Sequence, residues 1–447
     1  MLDCIESRSG NALPTTGRPE PATLDACLRL LRQHRVLPRL IRARSGYSAG
    51  GLALRVSLRG YLDSPDCARE FNDRIRYVLE CNVPLTIALT DAGHDGVAAD
   101  ATAALEAFCN TLREALRSSG ADRNLIGTSI RSHVMPLQAY LVITSLLGKG
   151  PRYVVLDCLQ MQHHADLRVQ AMSDANWLEL WHRRQSACTV QAVYGECVRS
   201  HCSLLADEKT ASVLPALAMP VPVESAWFPV ELFLPDFADA RGHLNMPAVR
   251  KTLRACLEVN ERLTPQLYWA SETQDLDSRS NNRIAVLLTG IGDLVAARGM
   301  QAAEIHSLRW ADSIVRAVQG ELLHVSREMV RNDDILPSLL QSDPSNAWHN
   351  SEQQHKWSIR WRQTLQVEAV RHRNLLVLSP YSVLPRDGRC SPDFTDLLPV
   401  LGHADAVSFC KTPTFANWNV NDFSRFHRRA WAVIKHGNPR EHIAAQV

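Results

Sequence analysis

The run Ser280-Asn281-Asn282-Arg283-Ile284-Ala285-Val286-Leu287-Leu288-Thr289-Gly290-Ile291-Gly292-Asp293-Leu294 carries an unbroken apolar core, Ile284 to Leu288, closed by two glycines. Continuous apolarity predicts a strand over Arg283 to Thr289 that is covered on both faces. On its amino side, Phe228 to Leu234 is strand-like and Pro247 to Leu263 reads as helix. On its carboxyl side, Ala302 to Val330 predicts one or two long helices, and the chain then turns polar from Asp333 to Gln353 around the loop Ser342-Asp343-Pro344-Ser345-Asn346. A helix over Trp357 to Val370, a strand over Asn374 to Pro380 and a basic amphipathic helix over Phe423 to His436 complete this half.

The same alternation extends toward the amino terminus. Strands are predicted at Pro84 to Leu89, Leu125 to Ile130, Tyr153 to Leu159 and Thr189 to Tyr194, with helices over Val97 to Leu116, Leu137 to Leu147 and Ala175 to Arg184 between them. Apolar strands separated by amphipathic helices are what a helix-covered parallel sheet requires, so the fold class is α/β. Leu24 to Arg44 reads as helix, interrupted near Pro38, with its arginines on a solvated face. The residues before it, rich in Ser, Gly, Pro and Thr, read as a flexible leader over 1–22.

Composition narrows the function classes. The 447 residues carry 49 Lys+Arg against 47 Asp+Glu, and 49 − 47 = +2 disfavours a nucleic-acid scaffold. With 45% hydrophobic and 21% charged residues the chain is an ordinary globular one. The 12 cysteines are scattered from Cys4 to Cys410 without a CxxC pair. No secretory h-region opens the chain, and the longest apolar stretch, Ala139 to Leu147, falls short of the ~20 residues of a membrane helix. The expectation is a cytoplasmic protein with reduced thiols, no membrane partner, and most cysteines acting as small buried hydrophobes.

Simple motifs leave the reaction open. Cys188, Cys197, His201 and Cys202 place soft ligands close together, but four residues separate Cys197 from Cys202, and the expectation is no metal. Gly290-Ile291-Gly292-Asp293 and Gly148-Lys149-Gly150 are glycine-rich candidates for phosphate contact, yet neither completes a GxGxxG or a P-loop. The residues name no cofactor.

Three segments, in order, resemble the large-subunit barrel of ribonucleotide reductases. Trp227-Phe228-Pro229-Val230-Glu231-Leu232-Phe233-Leu234-Pro235 resembles that family's finger loop, Asn-Leu-Cys-x-Glu-Ile-x-x-Pro. The run from Ser280 to Leu294 resembles its Ser-Asn-x-Arg-Ile-Gly-x-Gly-x-x-Gly-x-x-Asp segment, at Asn282, Arg283, Gly290 and Asp293 among others. Arg373-Asn374-Leu375-Leu376-Val377-Leu378-Ser379-Pro380-Tyr381-Ser382 resembles its strand and phosphate turn. The resemblance covers about residues 220 to 415 and implies a ten-stranded α/β barrel with helical amino-terminal additions. The implied division is a leader over 1–22, a helical region over 23–80, and a barrel with a carboxyl-terminal helix over 81–447.

The departures bear on function. Pro229 stands at the position of the family's thiyl-radical cysteine and cannot perform that chemistry. Trp227 replaces an asparagine, while Glu231 matches the family's general-base glutamate. At the phosphate turn, Ser379, Tyr381 and Ser382 remain, but the glycine that lets backbone approach a phosphate does not. No cysteine follows Cys410 to act as a thiol relay. Three readings follow. In the first, an enzyme of altered chemistry uses Glu231 as acid or base on a small polar or nucleotide-like substrate, its pKa raised by desolvation. In the second, the chain is an inactive scaffold or partner subunit that docks another protein through surfaces such as Arg425, His427, Arg428 and Arg429. In the third, a radical enzyme has relocated its thiol to Cys158, Cys197 or Cys256.

Overall fold

The computed structural model describes residues 21–38, 40–44, 46–90, 98–120, 126–131, 137–147, 152–156, 190–194, 210–214, 219–222, 224–300, 305–330, 371–372 and 375–377. Helix α1, Pro21–Gln33, buries Cys27 and Leu31 one turn apart, and Leu24 and Leu30 pack beside them. It ends because Arg35 takes a left-handed φ of 58° and the chain leaves as strand β1, Val36–Pro38. Strands β2, Leu40–Ala43, and β3, Gly46–Ala49, form an antiparallel hairpin, and β4, Leu52–Ser57, follows. The expected helix over Leu24 to Arg44 therefore stops at Gln33, and the region 23–80 is mixed rather than helical. Pairing between distant segments outweighs the helical preference of the arginine-rich run.

Ser57 caps helix α2, Leu58–Asp63, by accepting from the Gly60 N–H at 3.1 Å, and Ser64 caps α3, Pro65–Glu80, whose first turn opens on proline. Strand β5, Leu85–Thr90, is buried at every position, as a central parallel strand must be. Helix α4, Ala98–Ser119, leads to β6, Ile126–Arg131; α5, Leu137–Thr144, leads to β7, Arg152–Leu156; and β8 is Val190–Tyr194. Strands β4 to β8 pair in sequence order, all parallel. Strand β4 pairs with β5 along its whole length, across residue 80.

A second sheet begins after the antiparallel pair β9, Thr210–Leu214, and β10, Met219–Pro222. Strand β11, Trp227–Phe233, is followed by α6, Met246–Leu263, and α7, Glu272–Asn281, and then by β12, Arg283–Thr289. Helices α8, Ile291–Ala297, and α9, Ile305–Glu328, precede β13, Leu375–Val377. Strands β11, β12 and β13 are parallel, and β1 joins β11 antiparallel at the edge. Asn245 caps α6 through the Ala248 N–H, and Val249, Leu253, Cys256, Leu257 and Asn260 line its buried stripe.

The α/β class and its parallel pairing are therefore as expected. The closed ten-stranded barrel is not: among the described residues the strands form one five-stranded, one four-stranded and two two-stranded sheets, none closed on itself. The two main sheets meet where the chain enters β11. There the Glu224 N–H donates to the Ala53 carbonyl at 3.1 Å, and buried Glu224 pairs with Arg74 of α3. Expected helices over Ala175 to Arg184, Trp357 to Val370 and Phe423 to His436 lie outside the described residues. Among the described residues no helix is long and apolar enough to cross a membrane.

Candidate functional site

Strands β11 and β12 lie in parallel register, Trp227 opposite Arg283 at one end and Phe233 opposite Thr289 at the other. The two-residue period of a strand places Trp227, Pro229, Glu231 and Phe233 on one face with Arg283, Ala285, Leu287 and Thr289. The opposite face carries Phe228, Val230, Leu232, Ile284, Val286 and Leu288, all buried. The mixed face changes character along its length. Trp227 is 0% and Arg283 3% exposed, whereas Glu231, Phe233 and Thr289 are half-buried.

At that more open end, the Thr289 hydroxyl donates to Glu231 Oε1 at 3.1 Å. The contact is diagonal, Glu231 lying opposite Leu287 and Thr289 two residues further along β12. A hydroxyl donor at this distance orients the carboxylate. The carboxyl ends of parallel strands are also where open α/β sheets take their ligands. Thr289 belongs to no recognisable motif of its own; its one signal in the sequence is its position at the end of the apolar run.

The amino ends of the same strands are closed. Arg283 Nε donates to Asp277 Oδ2 at 2.9 Å and Nη2 donates to Oδ1 at 2.8 Å, a bidentate pair with Asp277 12% exposed. Asp277 also accepts from the Ala226 N–H at 2.7 Å and from Asn281 Nδ2 at 2.6 Å. The Arg283 guanidinium sits 5.8 Å from the Trp227 ring centroid, and the indole N–H donates to Ser225 Oγ at 2.9 Å. Gln274 Nε2 donates to the carbonyls of Gly51 and Ser225, tying α7 to both sheets. Asn282 takes a left-handed φ of 46° to end α7, and its carbonyl accepts from buried Asn260. Asn282 and Arg283 thus build the fold's interior, and Trp227 fills it.

Gly290 and Asp293 fall at the other end. With φ at +78°, a Cβ on Gly290 would lie 2.4 Å from Pro235 Cδ and 2.8 Å from Phe233 Cε2, so the close approach this glycine permits is to protein. Half-buried Asp293 occupies the first turn of α8, where its charge suits the helix dipole and opposes an incoming phosphate. The phosphate expectation for this turn finds no support in either feature. The segment read by resemblance as a finger loop runs as strand β11, hydrogen-bonded between β1 and β12. Pro229, buried opposite Ala285, sits one residue beyond the β1 register, which fits a residue without an N–H.

Cys27, Cys81, Cys109 and Cys256 are buried, as expected of small hydrophobes, and Cys67 is half-buried. Burial pushes the Cys256 thiol up to about 12, which makes it a poor nucleophile. Cys81 accepts from the Tyr268 hydroxyl at 3.0 Å, and that hydroxyl lies 2.9 Å from the Tyr77 hydroxyl. Ser326 Oγ lies 2.8 Å from His372 Nδ1, while His372 Nε2 stands 3.6 Å from Glu261 Oε1. Ser326 and His372 are 0% exposed, so this acid, histidine and serine array docks residues 371–372 onto α6 and α9 rather than meeting a substrate. Ser379, Tyr381, Ser382, Cys158, Cys188, Cys197, His201 and Cys202 lie outside the described residues. Among the described residues no group of three or more His, Cys, Asp or Glu is placed to hold a metal.

No protein-family model matches the chain, and no curated protein matches it. Among solved structures it is similar to the class Id ribonucleotide reductase alpha subunit of Actinobacillus ureae. That similarity has 11% identity and a TM-score of 0.46, over 78% of this chain and 62% of that one. The chain thus matches less than two thirds of that subunit's length.

Proposed function

We propose that the chain is a divergent ribonucleotide-reductase-like α/β protein that has left thiyl-radical chemistry and binds a small polar or nucleotide-like substrate at the carboxyl ends of β11 and β12. Glu231 is its acid or base. The supporting observation is the Thr289–Glu231 hydrogen bond, which holds a half-buried carboxylate where parallel strands end. The three motif resemblances in order, and the proline at the radical position, support the family and the loss of its reaction. The scattered cysteines, none in a CxxC pair, support a cytoplasmic setting.

The test is a panel of nucleosides, nucleotides and small polar metabolites offered to the purified full chain, followed by calorimetry and turnover assays. Glu231→Gln is expected to abolish turnover of any hit while keeping much of its binding, since the amide keeps the shape and loses the proton. Equal turnover in Glu231→Gln and wild type removes Glu231 from the chemistry.

A second reading, a catalytically inactive scaffold or partner subunit, draws support from the same strands. Trp227 and Pro229 are buried and Gly290 packs on Pro235, so the positions that would serve a substrate in the family serve packing here. Stoichiometric co-purification with one partner, unchanged in Glu231→Gln, favours this reading over the enzyme.

A further inference from the structure

The geometry points to a second ligand site, on the outer side of α6 against α9, that takes a small phosphorylated molecule. A cleft of about 350 Å³ lies there, lined by Met246, Pro247, Arg250, Lys251, Arg254 and Glu321. That volume suits a small organic molecule. Positions 246, 247, 250, 251 and 254 share one stripe of α6, flanking the stripe that Val249, Leu253, Cys256 and Leu257 bury.

Three cations against one carboxylate line the cleft. The two guanidinium groups are positioned from outside it. Arg250 Nη2 donates to Glu328 Oε1 at 2.5 Å, and Arg254 Nη2 donates to the other oxygen, Oε2. His324 Nε2 lies 2.9 Å from the same carboxylate, and Arg250 Nε stands 3.6 Å from Glu321 Oε2. Surface ion pairs of this kind add little stability. Their effect is to hold two guanidinium forks in place, which lowers the entropy lost when an oxyanion binds them. The hydrogen bond from Arg250, with the charges of Arg250, His324 and Arg254, keeps the Glu328 carboxyl below its ordinary range, so the brace persists at neutral pH.

Each lining residue then has a task. Arg250, Arg254 and the exposed Lys251 receive a phosphate dianion, which two fixed forks and a mobile ammonium suit better than a single carboxylate. Met246 and Pro247 offer apolar surface to the body of the ligand. Glu321 offers an acceptor to a ligand hydroxyl or amine.

The probes are glycerol 3-phosphate, inorganic phosphate and glycerol, titrated into the full chain by calorimetry at low ionic strength. The expected result is saturable binding of glycerol 3-phosphate, weaker binding of phosphate and none of glycerol. Lys251→Gln is expected to weaken glycerol 3-phosphate binding about tenfold and Lys251→Glu to remove it, with Lys251→Arg near wild type. Lys251 is exposed, so these variants should keep the ligand-free melting temperature. Unchanged affinity in Lys251→Glu, binding of inorganic phosphate alone, or a melting-temperature response that potassium chloride reproduces would each overturn the site. Should Lys251→Glu fail to fold, Lys251→Gln decides on the same tenfold criterion.

Discussion

The two ends of the β11–β12 pair are built from the same strands and read in sequence as parts of the same motifs, yet they differ in kind. At the amino ends each strong polar group is buried and engaged: Arg283 with Asp277, Asp277 with the Ala226 N–H, the Trp227 indole with Ser225. At the carboxyl ends the polar pair Glu231 and Thr289 is only half-buried. Removing one partner of a buried pair leaves an uncompensated charge, whereas changing a half-buried carboxylate leaves water to compensate. The contrast separates residues that hold the fold from residues that the proposed function assigns to a ligand.

The sharpest way to break this contrast is at Arg283. Arg283→Ala leaves the Asp277 side chain, 12% exposed, without its guanidinium partner and removes the cation beside the Trp227 ring. The expected loss is about 3–5 kcal/mol of unfolding free energy, read by urea denaturation. A loss below about 1 kcal/mol would mean the amino end is no more constrained than a surface pair.

The buried array at His372 extends the closed side of the comparison to pH. Burial, with Arg371 beside it, lowers the His372 pKa to about 3, and the neutral ring faces Ser326, Arg371 and Glu261. The folded value lies below the unfolded value of about 6.5, so the unfolded chain takes up this proton first as pH falls. The stability is fully present above about pH 6.5 and declines by about 1.4 kcal/mol per unit toward pH 3. His372→Gln should flatten that slope between pH 6.5 and 5 whatever its own effect at neutral pH. An unaltered slope would show that His372 does not remain neutral in the fold.

How far this division was legible in the sequence depended on its range. Apolar runs sufficed for β5, β12 and α6, because burial on both faces or on one stripe is written locally. Strands β1 and β2 escaped, since the arginines around Arg29 to Arg44 favour a helix in isolation and only pairing with β11 and β3 overrides it. The motif containing Asn282, Arg283, Gly290 and Asp293 read as one unit. The strand it spans, at roughly 3.3 Å per residue, carries its two halves to opposite ends of the sheet. Asp277 looked like any helix acid beside Glu272 and Asp275, and nothing local marks it as the partner of Arg283. Ser326 and His372 are 46 positions apart, a separation no pattern bridges.

A smaller effect is expected at Gly290, where the open end borders the core. Gly290→Ala meets both a left-handed φ of +78° and contacts under 3 Å with Pro235 and Phe233. Gly299→Ala meets a φ of +68° with nothing within 4 Å and isolates the backbone contribution. Gly299→Ala should lose roughly 1 kcal/mol and Gly290→Ala roughly 1–3 kcal/mol. Equal losses would mean that the packing of Pro235 against the turn relaxes freely, leaving room there for a ligand.

The least stability should be lost where the most chemistry is expected. Glu231→Gln keeps an oxygen to accept from the Thr289 hydroxyl and gives up a charge at a half-buried position. Its unfolding free energy should therefore stay within about 1 kcal/mol of wild type. A loss of several kcal/mol, comparable to Arg283→Ala, would place Glu231 among the residues that hold the fold and take away its claim as acid or base. Near-neutral stability combined with lost turnover would separate the two ends of the strand pair by function. A carboxylate whose removal hardly disturbs the fold but stops a reaction is retained for that reaction.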